Sequence, residues 1–165
     1  MRHFKFTLCA IMTILLTTAC GDDKQDDAIP TSLEGTFNGI FHSKVAGADY
    51  AYDQTTATIT QMKEGSNMVQ LHLDAITGTP GYGENPASMM TDVILENLNV
   101  KQLPDGSYMI SADPVSGTGK MRGTQYSFTE SSFSGRISGK TLTFSLLFKF
   151  GRMPHTIEAE FEGTL

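Results

Sequence analysis

The chain has 165 residues, 39% of them hydrophobic and 18% charged, with a net charge of −6. The acidic balance leaves no basic patch, so the sequence predicts no nucleic-acid partner. Its length after the N-terminal segments corresponds to one domain, long enough to form a core without disulfides.

Residues 1–19 have the three parts of a lipoprotein signal peptide. A basic start containing Arg2 and Lys5 leads into the apolar run Phe6–Leu16, and small residues then precede Cys20. The run is shorter than the roughly 20 apolar residues that a membrane-spanning helix needs. We expect cleavage before Cys20 and acylation of its thiol, which makes the outer membrane the expected partner. An ordinary secretory signal is the alternative.

Residues 20–31 follow as a polar, acidic tether (CGDDKQDD at its start) that cannot bury enough apolar surface to fold. Loss of Arg2 and Lys5 with the signal leaves 10 basic against 18 acidic residues, a net charge of −8. The acidic cluster resembles the export signal of surface lipoproteins in Bacteroidota-type bacteria, and this resemblance implies the outer face of the outer membrane. A role in solubility alone, with a periplasm-facing protein, is the alternative.

The remaining domain, residues 32–165, alternates short β-type runs with turns and predicts an all-β fold. About eight sequential strands favour a closed antiparallel up-and-down barrel in which the first strand pairs with the last, because closure removes exposed edges. The predicted strands are 33–42, 54–63, 67–75, 92–101, 107–112, 122–137, 141–150 and 155–164.

Two hairpins in the last third specify the strand register. A turn at Gly139-Lys140 pairs Ile137 with Leu142 and Gly135 with Phe144. A second turn at residues 151–154 pairs Phe150 with His155, Phe148 with Ile157 and Phe144 with Phe161. Both turns place the same apolar face inward, while Arg136, Thr143, Lys149, Glu158, Glu160 and Glu162 face outward.

Other segments are less regular. Phe128 has the wrong parity for Phe133, which indicates a bulge near residues 129–131. Residues 93–95 are apolar on both faces and fit a short helix or a covered strand. The glycine-rich run 117–123 is interpreted as a flexible loop, since it lacks the spacing of a phosphate-binding loop.

The inward parity predicts a set of barrel-lining residues, and the long Gly/Pro-rich loop 77–91 borders the expected mouth. The candidate lining residues are Phe37, Phe41, Leu71, Phe133, Phe144, Phe148, Phe150 and Phe161. Tyr82, in the loop, and His155 are the candidate residues of the cavity mouth. A structural role at a turn is the alternative for His155, and simple filling of the barrel is the alternative for the rings.

The run SFSGRISGKTLTFSLLFKFGRMPHTIEAEFEGTL, together with the first-strand sequence LEGTFNG, resembles the calycin-like β-barrel lipoproteins of Bacteroidota-type bacteria. The matching parts are a glycine-rich hairpin, an apolar strand, a Met-Pro corner and a last strand ending in Phe-x-Gly. This resemblance implies a β-barrel fold and the cellular location of a lipoprotein, and it supplies no catalytic residues.

Three functions remain open. The first is a barrel that binds a small apolar ligand, and the second is a filled barrel that interacts outward with a surface protein or glycan, as an adhesin or inhibitor. The third is a lipocalin-like cyclase or isomerase, for which the sequence offers only His155, Tyr108 and Tyr126 as interior polar groups. No metal-ligand spacing or nucleophile motif is present, so we expect no cofactor, no metal and no enzyme activity.

Overall fold

The computed structural model describes residues 33–64, 66–75, 90–121 and 123–165. These ranges form one antiparallel sheet of nine strands that closes on itself into a barrel with eight strand positions. The strands are β1 Gly35–Val45, β2 Ala48–Gln61, β3 Met68–Leu73, β4 Met90–Gln102, β5 Tyr108–Ala112, β6 Ser116–Met121, β7 Thr124–Ser138, β8 Thr141–Phe150 and β9 Ile157–Thr164. The predicted up-and-down barrel is therefore confirmed.

Pairing between β1 and β9 closes the barrel. The ladder runs from Asn38 opposite Thr164 to Val45 opposite Ile157, with Phe41 opposite Phe161. The predicted pairing of the first and last strands is confirmed. Every strand therefore has a paired neighbour on each side, although residues 48–56 of β2 pair with β1 alone within the described ranges.

Strands β5 and β6 occupy a single position between β4 and β7. One half of β7 pairs with β5 and the other half with β6, and β4 is shared in the same way. The expectation of a flexible loop at residues 117–123 was wrong for residues 117–121, which belong to strand β6. Its inward positions are Gly117 and Gly119, so the strand lacks the alternation of side chains by which strands are detected in a sequence.

Residues 93–95, for which the sequence allowed a short helix or a covered strand, lie in strand β4. Its buried positions are 90, 93, 95, 98 and 100, so the inward parity changes twice along the strand. Asp92 and Asn97 have positive φ angles of 48° and 58°, and the register shifts beside both. These irregularities are β-bulges, which let both halves of the strand face the core.

The register predicted for the C-terminal hairpins is confirmed. Ile137 pairs with Leu142, Gly135 with Phe144, and Phe144 with Phe161. The predicted bulge is also present, as a register shift between Thr129 and Ser132. Strand β9 begins at Ile157, two residues later than predicted, so the expected pair of Phe150 and His155 is not part of the ladder.

Large rings and glycines complement each other on the inner wall. A side chain at Gly135 would meet the Phe133 ring at 3.2 Å, and one at Gly163 would meet the Phe161 ring at 2.6 Å. The rings thus occupy the space beside neighbouring glycines, the alternation of large and small residues that fills small barrels.

Two strands approach each other closely at Gly39, which pairs with Gly163 across β1 and β9. A Cβ atom at Gly39 would overlap the Glu162 carbonyl oxygen and the Gly163 Cα atom. Only a residue without a side chain allows the two backbones to meet here.

Within the described ranges, no helix combines the length and apolarity needed to cross a bilayer.

Replacing Gly39 with alanine tests this closure. We expect Gly39→Ala to lower the free energy of unfolding by about 3 kcal/mol, because the added methyl group collides with backbone that cannot rotate away. Urea unfolding measures the loss. Ser145→Ala, on an exposed position of β8, is the control and should change stability by less than about 0.5 kcal/mol. Equal midpoints for both variants would refute the close approach.

Candidate functional site

The eight predicted lining residues all lie in the buried core. Their exposed fractions run from 0% at Leu71 to 4% at Phe144. Cys20 and Tyr82 lie outside the described residues. His155 is exposed and precedes β9, so its side chain does not belong to the apolar face on which parity had placed it.

Aromatic rings pack closely against one another in this core. The ring centroids of Phe128 and Phe148 are 4.4 Å apart, those of Phe144 and Phe161 are 5.0 Å apart, and those of Phe133 and Phe144 are 5.2 Å apart. Each such pair contributes about 0.5–1.5 kcal/mol beyond the burial of its surface. In the part of the chain described, the phenylalanines therefore fill space with each other.

Four polar side chains are buried in the described ranges, and three of them have hydrogen-bond partners. Thr55 Oγ1 donates to the Ala75 carbonyl at 3.2 Å, Ser131 Oγ donates to the Val115 carbonyl at 2.8 Å, and Ser107 Oγ donates to Asp105 at 2.6 Å. Ser43, which is 0% exposed and opposite Ala159, has no partner for its hydroxyl. A buried hydroxyl without a partner carries a desolvation penalty of about 1–3 kcal/mol.

A concave surface lies on the outside of the barrel, across β1, β9, β8, β7 and β5. It encloses about 930 Å³ and continues into a neighbouring concavity of about 320 Å³. We call the two together the outer groove. Its outward side chains are Asn38, Ile40, His42, Lys44, Leu103, Met109, Ser132, Ser134, Arg136, Thr143, Ser145, Leu147, Glu158, Glu160, Glu162 and Thr164.

The strand register arranges these side chains in rows across the wall. One row runs from Ile40 through Glu162, Thr143 and Arg136 to Met109. The next row runs from His42 through Glu160 and Ser145 to Ser134, and the third from Lys44 through Glu158 and Leu147 to Ser132. Every row thus has long side chains on β1 and β9, and four of the six outward positions on β8 and β7 carry serine or threonine.

Short side chains form the floor of the outer groove. Thr143 and Ser145 on β8 and Ser132 and Ser134 on β7 are flanked by the glutamates of β9 on one side. On the other side, Arg136 and Met109 rise from β7 and β5. The concavity therefore follows from residue size on neighbouring strands.

Acidic charge dominates one side of the outer groove. Glu158, Glu160 and Glu162 are exposed, and none forms an ion pair with another residue of the described ranges. Lys44 lies opposite Glu158 in register without pairing with it. Nearby cations are engaged elsewhere: Lys149 contacts Glu130 at 2.6 Å, and Arg136 pairs with Asp105.

Hydrogen bonds hold Arg136 at the opposite edge. Its guanidinium binds Asp105, and its Nε donates to Ser107 Oγ at 3.1 Å. Ser107 donates to Asp105 through its hydroxyl and through its backbone amide, at 2.6 and 3.0 Å. These hydrogen bonds from Ser107, with the attraction of Arg136, lower the pKa of Asp105 below its ordinary value. Arg136 is therefore a fixed part of the edge.

A second ionic cluster lies on the outer face of β3, β4 and β6. Lys120 Nζ donates to Asp92 at 2.9 Å, and this hydrogen bond, with the charge of Lys120, lowers the pKa of Asp92. His72 lies 3.9 Å from both Asp74 and Asp92. No group of three or more His, Cys, Asp or Glu side chains in the described part of the chain could hold a metal ion.

The outer groove was not predicted as a site. The hairpin registers had already placed Arg136, Thr143 and the three glutamates on one outer face, which was interpreted as a solvated surface. The signal that could have revealed the groove is a run of short residues on β7 and β8 between longer ones on β9 and β5. The hydrogen bonds from Arg136 to Asp105 and Ser107 join residues that are far apart in the sequence, so no local sequence pattern predicts them.

Comparison with known proteins identifies the fold. The family model of the calycin-like beta-barrel domain matches residues 33–164, and no curated protein matches the chain. A crystal structure from Bacteroides fragilis NCTC 9343, named a "putative outer membrane protein", superposes with a TM-score of 0.61 at 19% identity. The match covers 81% of this chain and 51% of that one, so the chain spans about half the length of that protein.

A phycobiliprotein lyase of Guillardia theta, CPES, superposes with a TM-score of 0.40 at 14% identity, over 80% of this chain and 86% of that one. This likeness is too weak to bear on the activity of the chain.

The pKa of Asp105 makes stability depend on pH at the groove edge. Because the pKa is lower in the folded state, the stabilising contribution is present above the unfolded value of about 3.9 and is lost as the pH falls through the folded value. We therefore expect Asp105→Asn to destabilise the barrel at pH 7, with the difference from wild type shrinking below about pH 4. Urea midpoints between pH 7 and pH 2 measure it, with Glu96→Gln on exposed β4 as the control. A difference in urea midpoint between Asp105→Asn and wild type that stays constant at every pH would contradict the lowered pKa of Asp105.

Proposed function

The chain belongs to the calycin-like β-barrel domain family, and on that premise we propose that it is a lipid-anchored protein of the bacterial outer membrane whose filled barrel presents its outer wall to a partner. The observation that carries the proposal is the packing of the inner wall. Phenylalanine rings lie against each other and over inward glycines, while the outer groove lies on the outside of the barrel.

Exposed apolar side chains on this wall support an interaction role. Ile40, Leu147 and Met109 are 40%, 39% and 37% exposed, and all three line the outer groove. Apolar side chains beside polar and charged ones are typical of the surfaces through which proteins associate.

The location is supported by the N-terminal sequence. The signal segment 1–19, Cys20 and the acidic residues after it fit export, acylation and display at the cell exterior. Two or more acyl chains hold a protein on a membrane, because each buried methylene contributes about 0.8 kcal/mol. The Bacteroides fragilis protein with the same fold bears a name that refers to the outer membrane. A periplasm-facing orientation is the alternative.

Photo-crosslinking from the wall tests the proposal. In one variant of the full chain, expressed in its own bacterium, a photoreactive residue replaces Ser145 on the groove floor. In a control variant it replaces Thr60, an exposed residue of β2. The crosslinked adducts of the two variants are then compared. We expect a discrete adduct from Ser145 alone, because only the groove floor would contact the partner. The same adducts from both positions, or no adduct from Ser145, would refute the proposal that this wall binds a partner.

A small apolar ligand inside the barrel is the second candidate, and Ser43 is the observation that favours it. Its hydroxyl is buried without a partner on the inward side of β1, and Ala159 opposite it is small. A ligand with a polar end could satisfy this hydroxyl while its apolar part lies among the surrounding side chains.

Native mass spectrometry of the full chain, purified from its own membrane, tests the second candidate. A ligand would appear as extra mass that is lost on denaturation, whereas covalent acyl chains would remain. We expect Ser43→Ala to weaken such a ligand about fivefold, since one hydrogen bond contributes about 1 kcal/mol, and Ser132→Ala on the outer wall to leave it unchanged. A mass that stays bare after incubation with lipid and metabolite extracts rules the ligand out.

A further inference from the structure

The carboxylates of β9 form a regular column. Glu158, Glu160 and Glu162 occupy alternate positions of one strand and point outward. Residues two apart in a strand are separated by roughly 7 Å. The column is therefore a line of three evenly spaced carboxylates that runs along β9 beside the floor of the outer groove.

Each end of the column has an apolar neighbour. Ile40 lies opposite Glu162 on β1, and Leu147 lies opposite Glu158 on β8. A lysine or arginine that reaches one of these carboxylates can lay its methylene stem along the apolar side chain. The surface thus matches both parts of a long cationic side chain.

The groove also has the width of an extended chain. From β9 across β8 and β7 to β5 is three strand spacings, roughly 14 Å. The floor between carries the short side chains of residues 132, 134, 143 and 145, with Leu147 towards one end and Arg136 towards the other. The far edge is held by Arg136, whose charge is compensated by Asp105. Among the described residues, the unpaired charges of the groove are therefore the three glutamates of β9 and Lys44 opposite Glu158, which leaves a net acidic charge along one side.

We propose that the outer groove binds an extended polypeptide segment whose lysine or arginine residues alternate along one face. Cations at every second position of an extended chain repeat at the same distance as the glutamates, so three ion pairs form in register. This inference rests on the proposed outward function of the wall and specifies its partner as a basic protein segment.

Charge argues against two other occupants. The chain's own tether contains Asp22, Asp23, Asp26 and Asp27, so the acidic column would repel it. A second copy packed through the same wall about a two-fold axis would bring two net-acidic surfaces together, because such an interface uses the same surface on both subunits.

Binding of designed peptides to the full chain in mild detergent tests the proposal. The probe is an eleven-residue threonine peptide with three lysines at alternate central positions. Two comparison peptides have the same composition, with the lysines consecutive or four residues apart as a helix would need. By fluorescence anisotropy at low salt, we expect the alternating peptide to bind several-fold more tightly than either, and binding to weaken as salt screens the charges.

Variants locate the binding site. We expect Glu160→Gln to weaken the alternating peptide about two- to fivefold, and the triple change of Glu158, Glu160 and Glu162 to glutamine to weaken it about tenfold or more. Glu96→Gln on β4 removes the same single charge from another exposed position and should leave binding unchanged. Circular dichroism of every variant establishes that the barrel is folded.

Several outcomes would overturn the inference. They are equal binding of all three peptides, equal loss in Glu160→Gln and Glu96→Gln, and binding of a neutral oligosaccharide in place of the peptide. If the crosslink from Ser145 persists while the peptides fail, the outward function stands and the basic partner does not. If both fail, the wall is not an interface.

Discussion

The structure depends on the contact between the backbones of β1 and β9 at Gly39 and Gly163. Without side chains at these two inward positions, the first and last strands meet closely enough to complete the ladder that runs from Asn38 to Val45. Closure then leaves neither the first nor the last strand as an end strand of the sheet. It also brings Phe161 over Gly163 and into a stack with Phe144, so the same two glycines that join the ends of the sheet make room for the central rings. Topology and core packing thus depend on the same residues.

The inner and outer surfaces of this wall are two consequences of one alternation. Inward, phenylalanines on β7, β8 and β9 pack over glycines and against each other. Outward, the intervening positions carry short hydroxyl side chains on β7 and β8 beside glutamates on β9, which produces the outer groove. Because the inward positions of this wall carry mostly apolar side chains and glycines, its charged side chains and most of its polar ones face outward. The charges are distributed unevenly, since Asp105 compensates Arg136 while the glutamates have no such partner within the ranges described.

The sequence predicted this wall well because each of its features is local. Two short turns and strict alternation were enough to set the pairs Ile137–Leu142 and Phe144–Phe161, and both were confirmed. Prediction failed where a strand lacks side chains or changes parity. Strand β6 has glycines at its inward positions 117 and 119, and β4 shifts parity at the bulges of Asp92 and Asn97. The groove could not be inferred from single strands, because its concavity arises from the sizes of residues that neighbour each other only once the sheet has formed.

Both ends of the folded chain leave the barrel at the same pole, since β1 begins and β9 finishes there in antiparallel pairing. Leu165 lies over Gly35, and its amide donates to the Lys140 carbonyl at 2.9 Å. The hydrogen bonds of an antiparallel ladder run perpendicular to the strands. A force that pulls the two ends apart would therefore act along these hydrogen bonds and break the β1–β9 ladder one residue pair at a time. It would not load all of the hydrogen bonds of the ladder at once. The seam that closes the barrel is thus also its weakest line under mechanical load.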